Sequence, residues 1–321
     1  MISRLTVTLV LGLSLACRAE PIPAAQRYPA GTPLLAHYVT IDGTRIRYVE
    51  AGQGPAVVLI HGLAASMYSW RHTIEPVARA GFRVIAFDNR GFGFSDKPAR
   101  GYSNEAYVGL LYGLLDSLGV KDAVLVGHSM GGAIAAQATL DRPDRVRGLV
   151  LVDAAGLGVR WPFMLRVAHW PIVGALFDHL RGRAATAGIL KALYAVPSRV
   201  TPEDVDQYYA PLAEPGFGRG LRGVLREFGF DQLRGRFGQL TTPTLVMWGT
   251  RDRLIPLSVG QAMVVELPHA VLLRFPDAGH ALPEEAPEAF DRALVGFLLR
   301  GIPIPPQDLA GLRLDRNSVR R

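Results

Sequence analysis

Across its 321 residues the chain contains a single cysteine, Cys17. An internal disulfide and a cysteine-based zinc site each need at least two thiols in reach, so both are excluded. No block of lysine and arginine interleaved with aromatic residues occurs, and the arginines are spread along the chain. The formal charge of +7 therefore reads as a solvated basic surface, with no nucleic-acid partner expected. Attraction to anionic lipid or an anionic envelope is the partner class this charge leaves open. The glycine-containing run Asp88-Asn89-Arg90-Gly91-Phe92-Gly93 lacks the third glycine of a dinucleotide loop, and no helix with a phosphate-loop lysine follows it. No cofactor and no metal are expected, and no internal repeat is visible.

What the chain has in quantity is apolar residues, 49% of the total, ample for a sizeable core in one large α/β domain with an insertion or in two small domains. Residues 1–19 read as an export segment: Arg4 supplies the positive start, residues 5–16 are uncharged and mostly apolar, and small residues follow. The apolar part is short of the roughly 20 residues that span a bilayer. Leu13-Ser14-Leu15-Ala16-Cys17 is similar to a bacterial lipoprotein cleavage box, with Ser14 where a large aliphatic residue is usual, and ordinary cleavage after Ala19 fits about as well. The expectation is export to the periplasm or medium, or membrane attachment through a lipidated Cys17. Residues 20–35, rich in proline and alanine, read as a tether. Residues 301–321, with Pro303, Pro305 and Pro306, read as a tail.

Between tether and tail, Asp42-Gly43 separates two stretches of half-exposed strand character and predicts a tight hairpin. Continuous apolar runs then occur at 56–60, 83–87, 123–126, 149–152, 244–247 and 271–273. Runs of that kind belong to a sheet covered on both faces. Helical spacing at 69–80, 104–118 and 130–140 alternates with them, which predicts a mostly parallel sheet with helices on both faces. The interval from Val152 to Thr244 carries no buried strand, only apolar residues at helical spacing, including Trp161, Phe163, Trp170 and Phe177. A structureless loop of that length inside a compact domain is improbable. It is read as a helical cap over 154–242 inserted into a core formed by 36–153 and 243–300. The run Pro215-Gly216-Phe217-Gly218-Arg219-Gly220 reads as a joint within the cap.

The tightest motif is Gly127-His128-Ser129-Met130-Gly131, which follows an apolar strand and opens an alanine-rich helix. A serine on so sharp a turn projects from the fold, and its flanking glycines leave room for the chain to pass itself. A serine hydroxyl needs a histidine in hydrogen-bond reach as base, and that histidine needs a carboxylate to fix its tautomer. His280 and Asp252 each stand just past the end of an apolar run, where sites of open α/β sheets are built. Asp153 also ends a strand and competes with Asp252 for the acid; Asp252 is favoured. His128, His37, His72, His169, His179 and His269 are read as structural or surface residues.

From about residue 36 to 300 the chain resembles the α/β-hydrolase fold superfamily, whose nucleophile, acid and base follow the order Ser129, Asp252, His280. His61-Gly62-Leu63 looks like that family's HG motif, and the resemblance implies an oxyanion hole formed by the N–H groups of Leu63 and Met130. Asp88 to Asp96 is similar to its D-x-R-G-x-G-x-S loop, a structural turn in which Arg90 and Asp96 pair with neighbours. The resemblance implies a serine hydrolase acting on carboxylic esters through an acyl-enzyme, and the apolar cap favours lipophilic acyl groups. Epoxide hydrolases and haloalkane dehalogenases use an aspartate where Ser129 stands, which excludes both. Carbon–carbon hydrolases of ring-cleavage products keep the serine but commonly place tryptophan after the histidine, where Ala281 stands; they are the first alternative. Cofactor-free perhydrolases share the triad, and a non-catalytic binding protein on this fold is the further alternative.

Overall fold

The computed structural model describes residues 34–157 and 182–301 and the backbone of 313–314. The leader with Cys17, most of the tether, the segment carrying Trp161, Phe163, Trp170 and Phe177, His169 and His179, and most of the tail lie outside the described residues.

The chain opens with β1 (His37–Ile41) and β2 (Thr44–Ala51), paired antiparallel. Asp42 and Gly43 between them have φ of 45° and 72°, the two positive values that a two-residue hairpin turn requires. There follow β3 (Ala56–Ile60), α1 (Ile74–Arg79), β4 (Arg83–Phe87), α2 (Asn104–Ser117), β5 (Ala123–His128), α3 (Met130–Asp141) and β6 (Val146–Val152). Between β6 and the next strand come α4 (Arg183–Leu193), α5 (Pro202–Ala213) and α6 (Phe217–Glu227), the described part of the segment expected to form the cap. The core resumes with β7 (Thr244–Gly249), α7 (Leu257–Glu266), β8 (Ala270–Phe275), α8 (Leu282–Glu285), α9 (Pro287–Arg300) and a short β9 (Arg313–Leu314).

The nine strands form one sheet in the order β1-β2-β4-β3-β5-β6-β7-β8-β9. Strands β4, β3, β5, β6, β7 and β8 run parallel; β2 and β9 close the two sides antiparallel to them. The apolar runs are continuous because successive side chains point to opposite faces and both faces are covered. Val58, Ile60, Leu125, Leu149 and Val246 pack with Leu111, Ala133 and Ile134 of α2 and α3. Val57, Leu59, Val126, Val150 and Leu245 pack with Ile74 and Val77 of α1 and with Phe290, Leu294 and Phe297 of α9. Among the described residues no helix is long and apolar enough to cross a membrane.

Two expectations are corrected. The helix expected over 69–80 is a 3-10 turn at Met67–Trp70 followed by the short α1. Pro76 has no N–H to donate to an earlier turn, so the α-helix begins just before it. The joint expected at 215–220 is a helix start packed hard on the core: a methyl group at Gly220 would stand 2.5 Å from the Gly91 carbonyl oxygen. Gly220 serves close approach, and α6 is seated by it.

Asp291 on α9 is buried with Oδ1 unpartnered, and burial pushes its carboxyl up to about 7. The folded chain therefore holds a proton there that the unfolded chain releases near pH 4, and stability drains away as pH rises from 4 through 7. Asp291→Asn is expected to raise the melting temperature at pH 8, by up to about 4 kcal/mol of stability, with the gain shrinking towards pH 4. Equal gains at both pH values would contradict this account.

Candidate active site

Ser129 alone makes the turn from β5 into α3, with φ 54° and ψ −120°. Such a conformation costs a non-glycine residue on the order of 1–3 kcal/mol and persists only where the surroundings impose it. Here they do: the Ser129 N–H donates to the Val152 carbonyl, and the Ser129 carbonyl accepts from Gly132 and Ala155, each at 3.0 Å. A methyl at Gly127 would lie 2.3 Å from the Gly131 carbonyl oxygen, and one at Gly131 would lie 2.2 Å from that of Ile60. The flanking glycines are thus a steric requirement of the turn.

His280, on the loop after β8, presents Nε2 to Ser129 Oγ at 3.0 Å and Nδ1 to Asp252 Oδ2 at 2.7 Å. A carboxylate accepts only, so Nδ1 carries the proton and Nε2 is left as the acceptor facing the serine hydroxyl. Asp252 is fixed in turn by the Leu254 and Ile255 N–H groups, at 2.8 and 2.9 Å from Oδ1. All three side chains are buried. Asp153 sits at φ 42° at the end of β6 and accepts from the Gly249 N–H at 2.8 Å, with Oδ2 unpartnered. Burial, reinforced by the Asp252 charge, holds its carboxyl well above the usual carboxylate range. A neutral Asp153 supplies no charge to an imidazolium, and the contact with His280 belongs to Asp252.

The His61-Gly62 loop lies against Ser129, since a methyl at Gly62 would stand 2.9 Å from its Cβ. Leu63 follows on that loop, partly buried, and Met130 is the first residue of α3, whose N–H has no partner within its own helix. His61 anchors the loop. Its Nδ1 donates to the Gly62 carbonyl at 2.7 Å and its Nε2 accepts from the Asn89 N–H at 2.8 Å, a pairing that needs a neutral ring. Burial pushes the His61 pKa down, consistent with that state. Asp88 accepts from the Met67 and Phe94 N–H groups, both at 2.8 Å, and so braces the turn below it. As expected of that turn, Arg90 donates to the Gly101 carbonyl at 3.0 Å, and Asp96 accepts from the Arg45 N–H at 2.8 Å.

Two residues at the site escaped the sequence reading. His128, read there only as a structural or surface residue, places Nε2 2.6 Å from the His280 carbonyl oxygen, to which it must donate. Burial, with the nearby His280, lowers its pKa to about 3 and keeps it neutral. Glu285 accepts from the Gly279 N–H at 2.8 Å, directly before His280. The His128 bond spans 152 residues, and the Glu285 bond, though it spans only 6 residues, is made to a backbone N–H that no motif marks. His37, His72 and His269 are exposed, in keeping with their bland reading.

Comparison with known proteins now has a geometry to meet. The family model described as alpha/beta hydrolase fold matches residues 55–193. An uncharacterized hydrolase of Bacillus subtilis, YugF, is 31% identical over 267 residues, covering 81% of this chain and 96% of that protein. The chain belongs to the α/β-hydrolase fold family. A second member, the 2-hydroxy-6-oxononadienedioate/2-hydroxy-6-oxononatrienedioate hydrolase of Comamonas testosteroni, is 31% identical over 275 residues, covering 81% of this chain and 93% of the relative. Among solved α/β-hydrolases, a meta-cleavage product hydrolase of Pseudomonas fluorescens matches with TM-score 0.72 and 28% identity, over 82% of this chain and 97% of that one. A membrane phospholipase A described as a bacterial virulence factor matches with TM-score 0.71 and 26% identity, over 83% and 86%.

Because the elbow glycines abut backbone that has no room to yield, Gly131→Ala is expected to destabilise the fold by about 3 kcal/mol or more. A urea midpoint unchanged from wild type would show that the turn is looser than described.

Proposed function

We propose that this α/β-hydrolase fold protein is a serine hydrolase that transfers an acyl group to Ser129 and then to water. His280 takes the Ser129 proton as the hydroxyl attacks the substrate carbonyl, and it returns that proton to the leaving atom. Asp252 keeps the imidazole in the productive tautomer and stabilises its charged form. The Leu63 and Met130 N–H groups face the developing oxyanion, each such donor being worth on the order of 3 kcal/mol. The observation that carries this reading is the Ser129–His280–Asp252 line at 3.0 and 2.7 Å.

For the bond that breaks, we infer carbon–carbon hydrolysis of a ring-cleavage product as the leading reading, reversing the order expected from sequence alone. It is supported by 31% identity, along 81% of the chain, to the Comamonas testosteroni hydrolase named for such a product. The chemistry asks two things beyond ester cleavage. The 2-hydroxy dienoate must first ketonise, its hydroxyl proton leaving and a proton arriving at the carbon next to the attacked carbonyl, so that this leaving carbon can hold the electron pair through conjugation to the new carbonyl. That carbon must then take a proton, which His280 can deliver. Hydrolysis of a lipophilic carboxylic ester is the second reading. Two observations favour it: Ala281 stands directly after His280, and the phospholipase A structure resembles this chain at TM-score 0.71. Export through residues 1–19 remains part of the proposal.

The assay sets a 2-hydroxy-6-oxo-dienoate beside p-nitrophenyl esters of increasing acyl length. The dienoate is expected to show the higher kcat/KM by at least tenfold; an ester ahead by that margin puts the second reading first. Asp252→Asn is expected to lower kcat on the better substrate by about 10⁴-fold, whereas an undiminished rate would move the acid role to Asp153. A fluorophosphonate probe is expected to label wild type and not Ser129→Ala, and absence of labelling in folded wild type would favour a non-catalytic binding protein.

A further inference from the structure

The main chain around His280 is held on three sides. Its N–H donates to the Leu193 carbonyl at 2.9 Å, its carbonyl accepts from His128 at 2.6 Å, and the preceding N–H, of Gly279, donates to Glu285 Oε1 at 2.8 Å. Of these partners, Leu193 is the last residue of α4 and belongs to the cap. Glu285 reaches the same cap turn with its other oxygen, Oε2 accepting from the Ala195 N–H at 2.7 Å. The Glu285 main chain joins in, its carbonyl accepting from Arg199 at 2.7 Å. The contact is close throughout, for a methyl at Gly279 would stand 2.5 Å from the Leu193 carbonyl oxygen and 2.6 Å from the Ala195 nitrogen.

A carboxylate is costly in this place. Glu285, the last residue of the short α8, is buried, and a buried charge is costly unless it is paired. Two charge-assisted bonds to amides offset that cost. Glutamine would satisfy one amide and turn its own NH₂ towards the other, so the position calls for an acceptor at both oxygens. The seam continues outward: Arg71 pairs with Asp204 of α5 at 2.7 Å and with Glu284, and Glu284 also accepts from the Tyr208 and Tyr194 hydroxyls at 2.5 and 3.2 Å.

We infer that Glu285 is a positioning residue of the triad: by bridging the Gly279 and Ala195 amides it fastens the His280 loop to the cap turn at 193–196, so that the alignment of His280 between Ser129 and Asp252 depends on the cap. Shifting that turn would strip the His280 N–H and Glu285 Oε2 of their partners at once. The cap is thereby a working part of the catalytic centre as well as a cover. This inference rests on the triad reading proposed above.

The test uses the full chain carrying Glu285→Gln or Glu285→Ala, with folding checked by circular dichroism. Two readouts are taken: kcat and KM on the better substrate, and the downfield proton resonance of the His280 Nδ1–H···Asp252 bond. The expected result is a kcat reduced at least tenfold in the alanine variant and less in the glutamine variant, with KM within threefold of wild type. The resonance is expected to broaden or vanish in the alanine variant. If that variant does not fold, the glutamine variant, which keeps the shape and one bond, carries both readouts. A folded variant that is less heat-stable yet keeps the wild-type kcat and resonance would overturn the inference, as would a lost kcat with the resonance intact. Because the resonance is read without turnover, it decides the role of Glu285 even if wild type hydrolyses neither substrate class, a result that would count against the triad reading alone.

Discussion

The hydrogen bond between His280 Nδ1 and Asp252 Oδ2 is the interaction on which the rest of the site depends. It decides which imidazole nitrogen carries the proton, and only with that proton on Nδ1 does Nε2 face Ser129 Oγ as an acceptor at 3.0 Å. A serine hydroxyl without such an acceptor is a weak nucleophile at neutral pH. Most of the surrounding structure serves to hold these two side chains and the hydroxyl in one line. Asp252 is gripped by two backbone amides, and Asp153 beside it is kept neutral, so one carboxylate charge is offered to the imidazole.

The fold supplies the line through strand ends. Ser129 follows β5, Asp252 follows β7 and His280 follows β8, and parallel strands bring those ends to one edge of the sheet. The conformational strain at Ser129 is offset by three backbone hydrogen bonds, two of which, with Val152 and Ala155, tie the elbow to the residues around the end of β6. The HG loop and the turn after β4 are locked together by a neutral His61 bonded to Asn89. Rigidity at Ser129 and a seam of inserted helices bonded to the His280 loop make a division of labour: the sheet fixes Ser129, while part of the hold on His280 comes from those helices.

Much of this was legible in the residues. Period-two burial on both faces reads directly as continuous apolar runs, Asp42-Gly43 announced the hairpin, and Ser129, Asp252 and His280 stood out because each follows such a run. Asp252 was already favoured over Asp153 in the residues although both follow strands; both are buried, and the geometry adds the physical reason, that it is Asp252 which meets the imidazole. His128 and Glu285 were invisible. Their partners lie 152 residues away at His280 and 90 residues away at Ala195, and their ligands are backbone groups that every residue carries. Local spacing also misled at Pro76, where helical periodicity runs through a residue that forbids the bond. It misled again at Gly220, where a glycine suited to a joint is instead one that lets two backbones touch.

The most direct test of the central claim is rapid-quench mass spectrometry of the protein mixed with a slowly turned-over acyl substrate. The account gives a transient mass increase equal to the acyl group, mapped to the peptide containing Ser129 and absent from Ser129→Ala. Turnover of the substrate with no acyl adduct on that peptide at any time, or with the adduct on another residue, would contradict it.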